Sequence, residues 1–410
     1  MRHILRRKDV YLDGAADTPI DPAVRKAMEP YLSKNGVGNS FAIHSYGITN
    51  GIAVEKARCQ IAEDIGCRPE EVFFTSGATE GNNWVIKELA LAELSSKKRK
   101  KRMHIICGAT EHSSVINACK QVENWGFSVT YLVGTGTDGK VLGKDVRAAL
   151  REDTLLVCAM AVNNETGVAN DSSQIAMYAK RNGSLTLIDC TQALSEGGES
   201  LCLMKRFMYG DFFSFSAHKI YGPGGIGCLV MMKDVQKRLP PLLSGGAQER
   251  GLRAGTVNVA GAIGMAKAID LMRRHDYRDH FAKLASHMID KENNSGIFEL
   301  NAFPDCNSIL SLNFSKSCDS DKLAEDFSAY GVAVSAGSAC DTEHDETAGD
   351  FNPSHVLASI GLTEKEVRNT VRVSLTKYTT EKDIKRFLIA AHKIAAFYAK
   401  IRTQNKEGRE

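Results

Sequence analysis

Seven short runs of apolar residues, mostly β-branched or aromatic, alternate with helical patterns along the first 232 residues of the chain. They occupy residues 72–75, 104–107, 128–133, 155–162, 185–189, 211–216 and 227–232. Runs of this length fit buried strands better than helices. Strands that alternate with helices predict a mostly parallel sheet covered on both faces. The sequence therefore predicts one large α/β domain.

The pattern changes near residue 261, where a different kind of unit begins. Amphipathic segments at residues 263–274, 277–293, 321–330 and 381–401 predict helices, and apolar runs at 308–314 and 371–375 predict strands. We predict a large cofactor-binding α/β domain over residues 16–262. Residues 1–15 and 263–410 are expected to form a smaller α+β domain that carries the catalytic loop.

The charge balance excludes a surface built wholly for nucleic acid or anionic lipid, because 52 Lys and Arg face 49 Asp and Glu. The longest apolar run is too short to cross a membrane, and the basic N-terminus lacks the apolar segment of a secretory signal. We expect a cytoplasmic protein with no membrane contact. A basic run at residues 97–102 is either a solvated loop or a local contact for nucleic acid or an acidic partner.

The eleven cysteines show neither a metal-binding nor a disulfide spacing, since none forms a C-x-x-C pair. Most lie in apolar runs and are expected to be reduced core residues. Cys340 is the exception, because residues 335–342 are small or polar and suit a loop that moves.

Lys219 gives the strongest chemical signal. It follows a predicted buried strand, between the hydroxyl of Ser216 and a glycine-rich stretch. A lysine at a strand end that faces a cleft can be desolvated, which lowers its pKa and frees its amine to form a Schiff base. Pyridoxal phosphate is the cofactor that such a lysine suggests. A strand-end lysine can also be a surface charge, so the assignment needs companions.

Three companions match what pyridoxal phosphate requires, although each has a structural alternative. Asp189 ends a predicted strand, where it could pair with the pyridine nitrogen or cap a helix. Residues 75–80 form a glycine-containing turn into a helix, which could bind a phosphate or simply cap the helix. His112 could stack on the cofactor ring and carry protons, or it could be structural.

Taken together, the segments resemble the cysteine desulfurases, fold type I pyridoxal-phosphate enzymes of the class-V aminotransferase type, and in particular their long-loop form. The resemblance covers nearly the whole chain. It is carried in order by residues 75–80 (TSGATE), 110–112 (TEH), 162–167 (VNNETG), 189–192 (DCTQ), 216–223 (SAHKIYGP), 249–256 (ERGLRAGT) and 337–340 (GSAC). It implies a large domain with a seven-stranded sheet and a smaller domain beside it.

The resemblance also implies roles for individual residues. Lys219 would carry the cofactor as a Schiff base, His112 would stack on its ring, and Asp189 would hold its nitrogen. The remaining cofactor contacts would be Gln192 at the phenolic oxygen, Ala78, Asn164, and three phosphate ligands, namely Thr79, Ser216 and His218. Thr256 would reach the phosphate of a second copy, so a homodimer is expected. The substrate, L-cysteine, would be bound by Arg372, Asn164, Ala15 and Asn39. No metal is expected.

Cys340 would attack the substrate sulfur, so that alanine leaves and the persulfide passes to an acceptor protein. The chain departs from the family beyond this cysteine, where five acidic residues follow within residues 341–350, and at Asp17, where the family commonly has threonine. The acceptor therefore stays open among iron–sulfur cluster assembly, tRNA thiolation, thio-cofactors and DNA phosphorothioation. Alternative functions are a selenocysteine or cysteine-sulfinate lyase, a small-amino-acid aminotransferase, or a non-catalytic interaction protein.

Overall fold

A computed structural model describes residues 9–97, 99–135, 138–292, 295–320, 322–336 and 354–407. Its strands are β1 Val10–Tyr11, β2 Val72–Thr75, β3 His104–Gly108, β4 Ser128–Leu132, β5 Thr154–Cys158, β6 Leu185–Asp189, β7 Phe212–Ser216, β8 Gly227–Met231, β9 Glu299–Leu300, β10 Ile309–Asn313, β11 Val332–Ala333 and β12 Thr370–Ser374. Its helices are α1 Pro22–Leu32, α2 Ser45–Ile65, α3 Ala78–Ser95, α4 Ser113–Glu123, α5 Gly143–Ala149, α6 Ser172–Asn182, α7 Leu203–Arg206, α8 Val259–Arg274, α9 Arg278–Glu292, α10 Leu323–Ala329, α11 His355–Ser359, α12 Glu364–Arg368 and α13 Glu381–Glu407.

The seven predicted strands of the large domain form one seven-stranded sheet in the order β2-β8-β7-β6-β5-β3-β4. Strands β3 to β7 pair in parallel, and β8 runs antiparallel to both of its neighbours. Every residue of β2, β3 and β5 to β8 is buried, which explains why these strands read as continuous apolar runs. The predicted fold class is confirmed.

Helices cover both faces of this sheet. Phe213 and Phe215 point to the face that packs against α1, α2 and α8, whereas Phe212 points to the face covered by α3 and α4. Successive residues of a strand alternate between the faces, so each strand contributes to two separate cores.

One predicted strand is longer in the sequence than in the structure. The apolar run at residues 155–162 forms a strand only to Cys158. Ala159 and Ala161 stay buried, and their N–H groups still donate to Leu187 O and Asp189 O of β6. Burial therefore continues past the regular ladder, which a hydrophobic pattern alone does not distinguish.

The C-terminal part contains a three-stranded antiparallel sheet, β12-β10-β9, and the parallel pair β1-β11. Its core gathers side chains of α9, α10 and α13, with Phe327 and Phe387 stacked at 5.0 Å between ring centroids. Helix α8 packs instead with the large sheet, to whose core it adds Met265 and Ile269. The domain boundary after residue 262 stays a prediction, and this packing favours placing it after Arg274.

All ten cysteines that the structure describes are free thiols, and eight of them are buried. The basic run is partly anchored in the part of it that is described, since Lys100 pairs with Glu152 and Arg102 donates to Thr154 O and Asn182 O. Lys98 lies outside the described residues. Among the described helices, none has the length and apolar character needed to cross a membrane.

Candidate active site

Most of the predicted site residues line one cavity at the carboxyl ends of the parallel strands. This is the edge where open α/β sheets bind ligands, because the loops that follow the strands converge there. The predicted residues in the cavity wall are Ala15, Ala78, Thr79, His112, Asn164, Asp189, Gln192, Ser216, His218, Lys219 and Arg372.

Three predicted site residues are not in this wall. Asn39 is exposed, and its side-chain oxygen instead accepts a 3.0 Å hydrogen bond from the N–H of Phe41, which closes a turn. Thr256 is also exposed and is not part of the cavity wall. Cys340 lies outside the described residues.

Lys219 ends the short turn that follows β7. Its amine reaches back to the N-terminal segment, where it donates to Ala15 O at 2.7 Å and Ala16 O at 2.5 Å. Gln192 Nε2 also donates to Ala15 O, at 3.0 Å. The loop after β1 therefore fixes the lysine amine inside the cavity.

Asp189 is 6% exposed and is held by two donors. Asn82 Nδ2 donates to Oδ2 at 2.8 Å, and the Thr191 N–H donates to Oδ1 at 2.9 Å. The bond from Thr191 closes a turn, and no helix begins directly after Asp189. The alternative that Asp189 caps a helix is therefore wrong. Donors on both oxygens fix the orientation of the carboxylate that would pair with the pyridine nitrogen.

Asn82 is a residue that the sequence analysis missed. It is fully buried in α3 and, besides Asp189, it bonds Ser114 Oγ at 3.0 Å and accepts from Ser214 Oγ at 2.5 Å. Its partners lie on α4, β6 and β7, and no local sequence signal links them.

His112 lines the cavity and also begins a helix. Its Nδ1 accepts from the Ser114 N–H at 3.1 Å, as an N-cap of α4. Because a backbone N–H can only donate, the neutral imidazole carries its proton on Nε2. The structural and the functional interpretations of His112 are therefore compatible.

The start of α3 offers an anion site at one end of the cavity. The Ala78 N–H donates to Ser216 Oγ at 2.8 Å, and Thr79 follows in the first turn. His218 Nδ1 lies 3.0 Å from Asp17 Oδ1. Burial and the charge of Lys219 lower the pKa of His218, and Asp17 opposes that shift. Asp17, noted as a departure from the family, is therefore part of the cavity's electrostatics.

Arg372 stands at the other end and is 2% exposed. It donates to Asn164 O at 3.0 Å and to Asp13 Oδ1 at 2.9 Å. Arg372 Nε, Asn164 Oδ1 and Thr191 Oγ1 are buried and have no partner among the described residues. Buried polar atoms are rarely left without a hydrogen bond, so these three atoms favour a polar ligand. With the helix start and Lys219, the cavity fits pyridoxal phosphate and an amino acid.

Glu111 lies behind this wall and is 1% exposed. Its Oε1 accepts from the Met160 N–H at 2.6 Å. Burial, with a smaller contribution from the charge of Asp189, raises the pKa of Glu111 to about 8. The carboxyl is thus neutral over most of the physiological range.

The cavity combines a lysine after one strand of the α/β sheet, an aspartate at the end of the neighbouring strand, and the start of a helix that suits a phosphate. These features define the class of fold type I pyridoxal-phosphate enzymes. The family model of the class-V aminotransferases matches residues 10–387, and the chain belongs to this family. Its cofactor is pyridoxal phosphate.

Relatives of known function are similar over almost their whole length. Cysteine desulfurase 2 of Trichormus variabilis is 37% identical over 382 residues, which cover 92% of this chain and 91% of the relative. A solved NifS-like protein has a TM-score of 0.83 at 31% identity, covering 95% of this chain and all of the other. A structure of SspA in complex with cysteine has a TM-score of 0.75 at 32% identity, covering 90% and 99% of the two chains.

Proposed function

We propose that this protein is a cysteine desulfurase, which converts L-cysteine to L-alanine and passes the sulfur through a Cys340 persulfide to an acceptor protein. The observation that carries the proposal is the convergence of Lys219, Asp189 and His112 on one cavity with a buried arginine at its end. Its relatives named as cysteine desulfurases support the same chemistry.

The cofactor, when bound, supplies an electron sink for the substrate carbon. Asp189 would hold the ring nitrogen, because both of its oxygens are already oriented by donors. The N–H groups at the start of α3, with Thr79 and Ser216, would take the phosphate. His218 would join them, with its Nδ1 held by Asp17.

The substrate side of the cavity has different groups. Arg372 and Asn164 would bind the substrate carboxylate, Arg372 through its guanidinium fork and Asn164 through the N–H groups of its side-chain amide. Lys219 would move the proton at the substrate carbon from its position beside Ala15 O. His112 presents Nε2–H for a second proton transfer.

Sulfur transfer then balances without an external oxidant. The Cys340 thiolate attacks the substrate sulfur, the new S–S bond forms as the substrate C–S bond breaks, and the electron pair of that bond stays on carbon and is protonated to give alanine. A thiol reductant or the acceptor protein then removes the terminal sulfur. The acidic residues within 341–350 lie outside the described residues, so their effect on the thiol stays a prediction.

The test is turnover of L-cysteine by the purified holoenzyme with dithiothreitol. We expect equal amounts of alanine and sulfide from the wild-type enzyme, and loss of both products in Lys219→Ala and in Cys340→Ala. Cys59→Ala is the matched control, because Cys59 is an exposed thiol on α2 away from the cavity. Full turnover by Cys340→Ala would refute the persulfide route. Faster reaction with L-selenocysteine, cysteine sulfinate or L-alanine plus a keto acid would favour the alternative activities.

A homodimer is part of the proposal. Large apolar side chains are exposed along residues 32–52, namely Leu32, Val37, Phe41, Ile43, Tyr46, Ile48 and Ile52, of which Ile43 is 94% exposed. Large apolar side chains exposed in such number within one short segment favour an interface. Thr256 is exposed as well, which suits a contact to the phosphate of a second copy. Light scattering of the holoenzyme should give twice the mass of 44.7 kDa.

The acceptor protein is the least determined part of the proposal. Trapping the persulfide acceptor from a cell extract would distinguish an iron–sulfur scaffold from a tRNA, thio-cofactor or DNA thiolation enzyme.

Contact of the basic run at residues 97–102 with nucleic acid remains a prediction. Lys97 and Arg99 are both exposed, and loss of binding to an oligonucleotide when both are replaced would support it.

A further inference from the structure

Asp13, just after the N-terminal strand β1, forms an ion pair with Arg372 inside the molecule. Its Oδ1 accepts from Arg372 Nη2 at 2.9 Å and from Ser335 Oγ at 3.0 Å. Ser335 Oγ in turn accepts from Arg372 Nη2 at 3.2 Å. The three side chains form a closed set of hydrogen bonds at the substrate end of the cavity.

The backbone fixes the Asp13 carboxylate relative to the strand that carries Arg372. Asp13 forms a parallel bridge with Ser374 of β12, and the two following N–H groups also bond Ser374, Gly14 to its carbonyl at 3.0 Å and Ala15 to its Oγ at 2.9 Å. A Cβ on Gly14 would lie 2.7 Å from Leu375 O, so this close approach requires a glycine. The carboxylate is therefore placed by the sheet and not by a mobile loop.

The guanidinium needs such a partner because it is 2% exposed. A buried cation without a countercharge is strongly unfavourable, and its position is then poorly defined. Nη1 donates to Asn164 O at 3.0 Å, Nη2 is held by Asp13, and Nε has no partner among the described residues. Asp13 thus fixes the plane of the guanidinium of a residue that lines the cavity.

We propose that Asp13 is a positioning residue that sets the affinity of Arg372 for the carboxylate of the amino-acid ligand. The proposal rests on the proposed function, in which Arg372 binds that carboxylate. Asp13 orients the guanidinium without touching the ligand. A purely structural ion pair would change stability and affect all ligands alike, whereas a positioning residue affects ligands that carry a carboxylate.

The test compares two amines that differ only in the carboxylate, L-alanine and ethylamine. Their dissociation constants are measured on the holoenzyme from the visible absorbance of the cofactor. In Asp13→Ala we expect the L-alanine constant to rise about tenfold, the loss typical of one charge-assisted hydrogen bond, and the ethylamine constant to stay unchanged. In Asp13→Asn, which keeps an acceptor for Nη2, we expect a rise of less than about threefold.

Two controls keep the result interpretable. Asp9→Asn removes an exposed negative charge just before the same strand and should change neither constant. If Asp13→Ala does not fold, Asp13→Ser takes its place, because the serine hydroxyl is too short to reach Nη2. We expect the same result from it, a higher dissociation constant for L-alanine and an unchanged constant for ethylamine.

An equal rise for both amines, or no rise for L-alanine, would overturn the proposal. The assay requires no sulfur transfer, so its outcome is separate from that of the turnover test. If L-alanine binding depends on Asp13 but the wild-type enzyme releases no sulfide from L-cysteine, the positioning role is supported and the desulfurase activity is refuted.

Discussion

Replacing Asn82 by alanine should loosen the Asp189 carboxylate and destabilise the protein. Asn82 donates to Asp189 and to Ser114 Oγ and accepts from Ser214 Oγ, all in a fully buried environment. The charge-assisted bond contributes about 1.5 to 3 kcal/mol and each hydroxyl bond about 1 kcal/mol. We therefore expect the free energy of unfolding to fall by about 3.5 to 5 kcal/mol.

The same change should weaken the cofactor, because Asp189 keeps only the Thr191 N–H as an oriented donor. We expect the dissociation constant of pyridoxal phosphate to rise at least about tenfold, the equivalent of about 1.4 kcal/mol. Urea unfolding of the apoprotein measures the first effect, and fluorescence titration with the cofactor measures the second.

Asn83→Ala is the matched control. Asn83 is the next residue of α3, but it is only partly buried and its amide bonds the Thr79 carbonyl on the same helix. We expect this control to lose less than about 1 kcal/mol. If Asn82→Ala matched it in both unfolding midpoint and cofactor affinity, the role of Asn82 in holding Asp189 would be refuted.

Three further changes test other parts of the structure. Glu111→Gln should stabilise the protein relative to the wild type, and increasingly so as the pH rises from about 5 to about 8. The raised pKa of Glu111 in the folded state means that its contribution to wild-type stability is present at low pH and is lost as the pH approaches that pKa. A difference in melting temperature between the two proteins that stays the same at every pH would contradict this. Glu249→Ala should cost about 3 to 5 kcal/mol in urea unfolding, because Arg58, which like Glu249 is 3% exposed, would lose its buried countercharge and keep the exposed Glu55. A loss below about 1 kcal/mol would contradict this. Gly14→Ala should cost about 1 to 3 kcal/mol of stability and so lower the melting temperature, because the added Cβ would lie too close to Leu375 O. An unchanged melting curve would show that this contact relaxes freely.

The large sheet could be predicted from the sequence because its strands are buried on both faces. A strand such as Phe212–Ser216 then has no polar alternation, and its short apolar run is bounded by turns. The order of the strands could not be read in this way. The pairing of β8 with β2, for example, joins residues more than a hundred positions apart, such as Phe74 with Cys228.

The cavity residues could be predicted where a local motif carries them. Asp189 ends a recognisable strand, and Lys219 and His112 each follow one. Asn82 and Asp13 had no such signal, because each acts through a partner distant in the chain, Asp189 in one case and Arg372 in the other. Function at these positions is defined by tertiary contact alone.

Asn39 shows the opposite limit. The resemblance implied a substrate contact, yet in the structure the Asn39 side chain closes a local turn and is exposed. A short polar side chain in a loop often bonds its own backbone, and sequence similarity does not reveal which bond is made. Thr256 is similar in that its expected partner lies on a second copy.

The attachment of the cofactor to Lys219 is the claim on which the other assignments depend. Borohydride reduction of the holoenzyme, followed by digestion and mass spectrometry, measures it directly. We predict that the pyridoxyl phosphate mass is found on the peptide that contains Lys219. A label on another lysine, or no label on a protein saturated with pyridoxal phosphate, would contradict the assignment of this cavity as the active site.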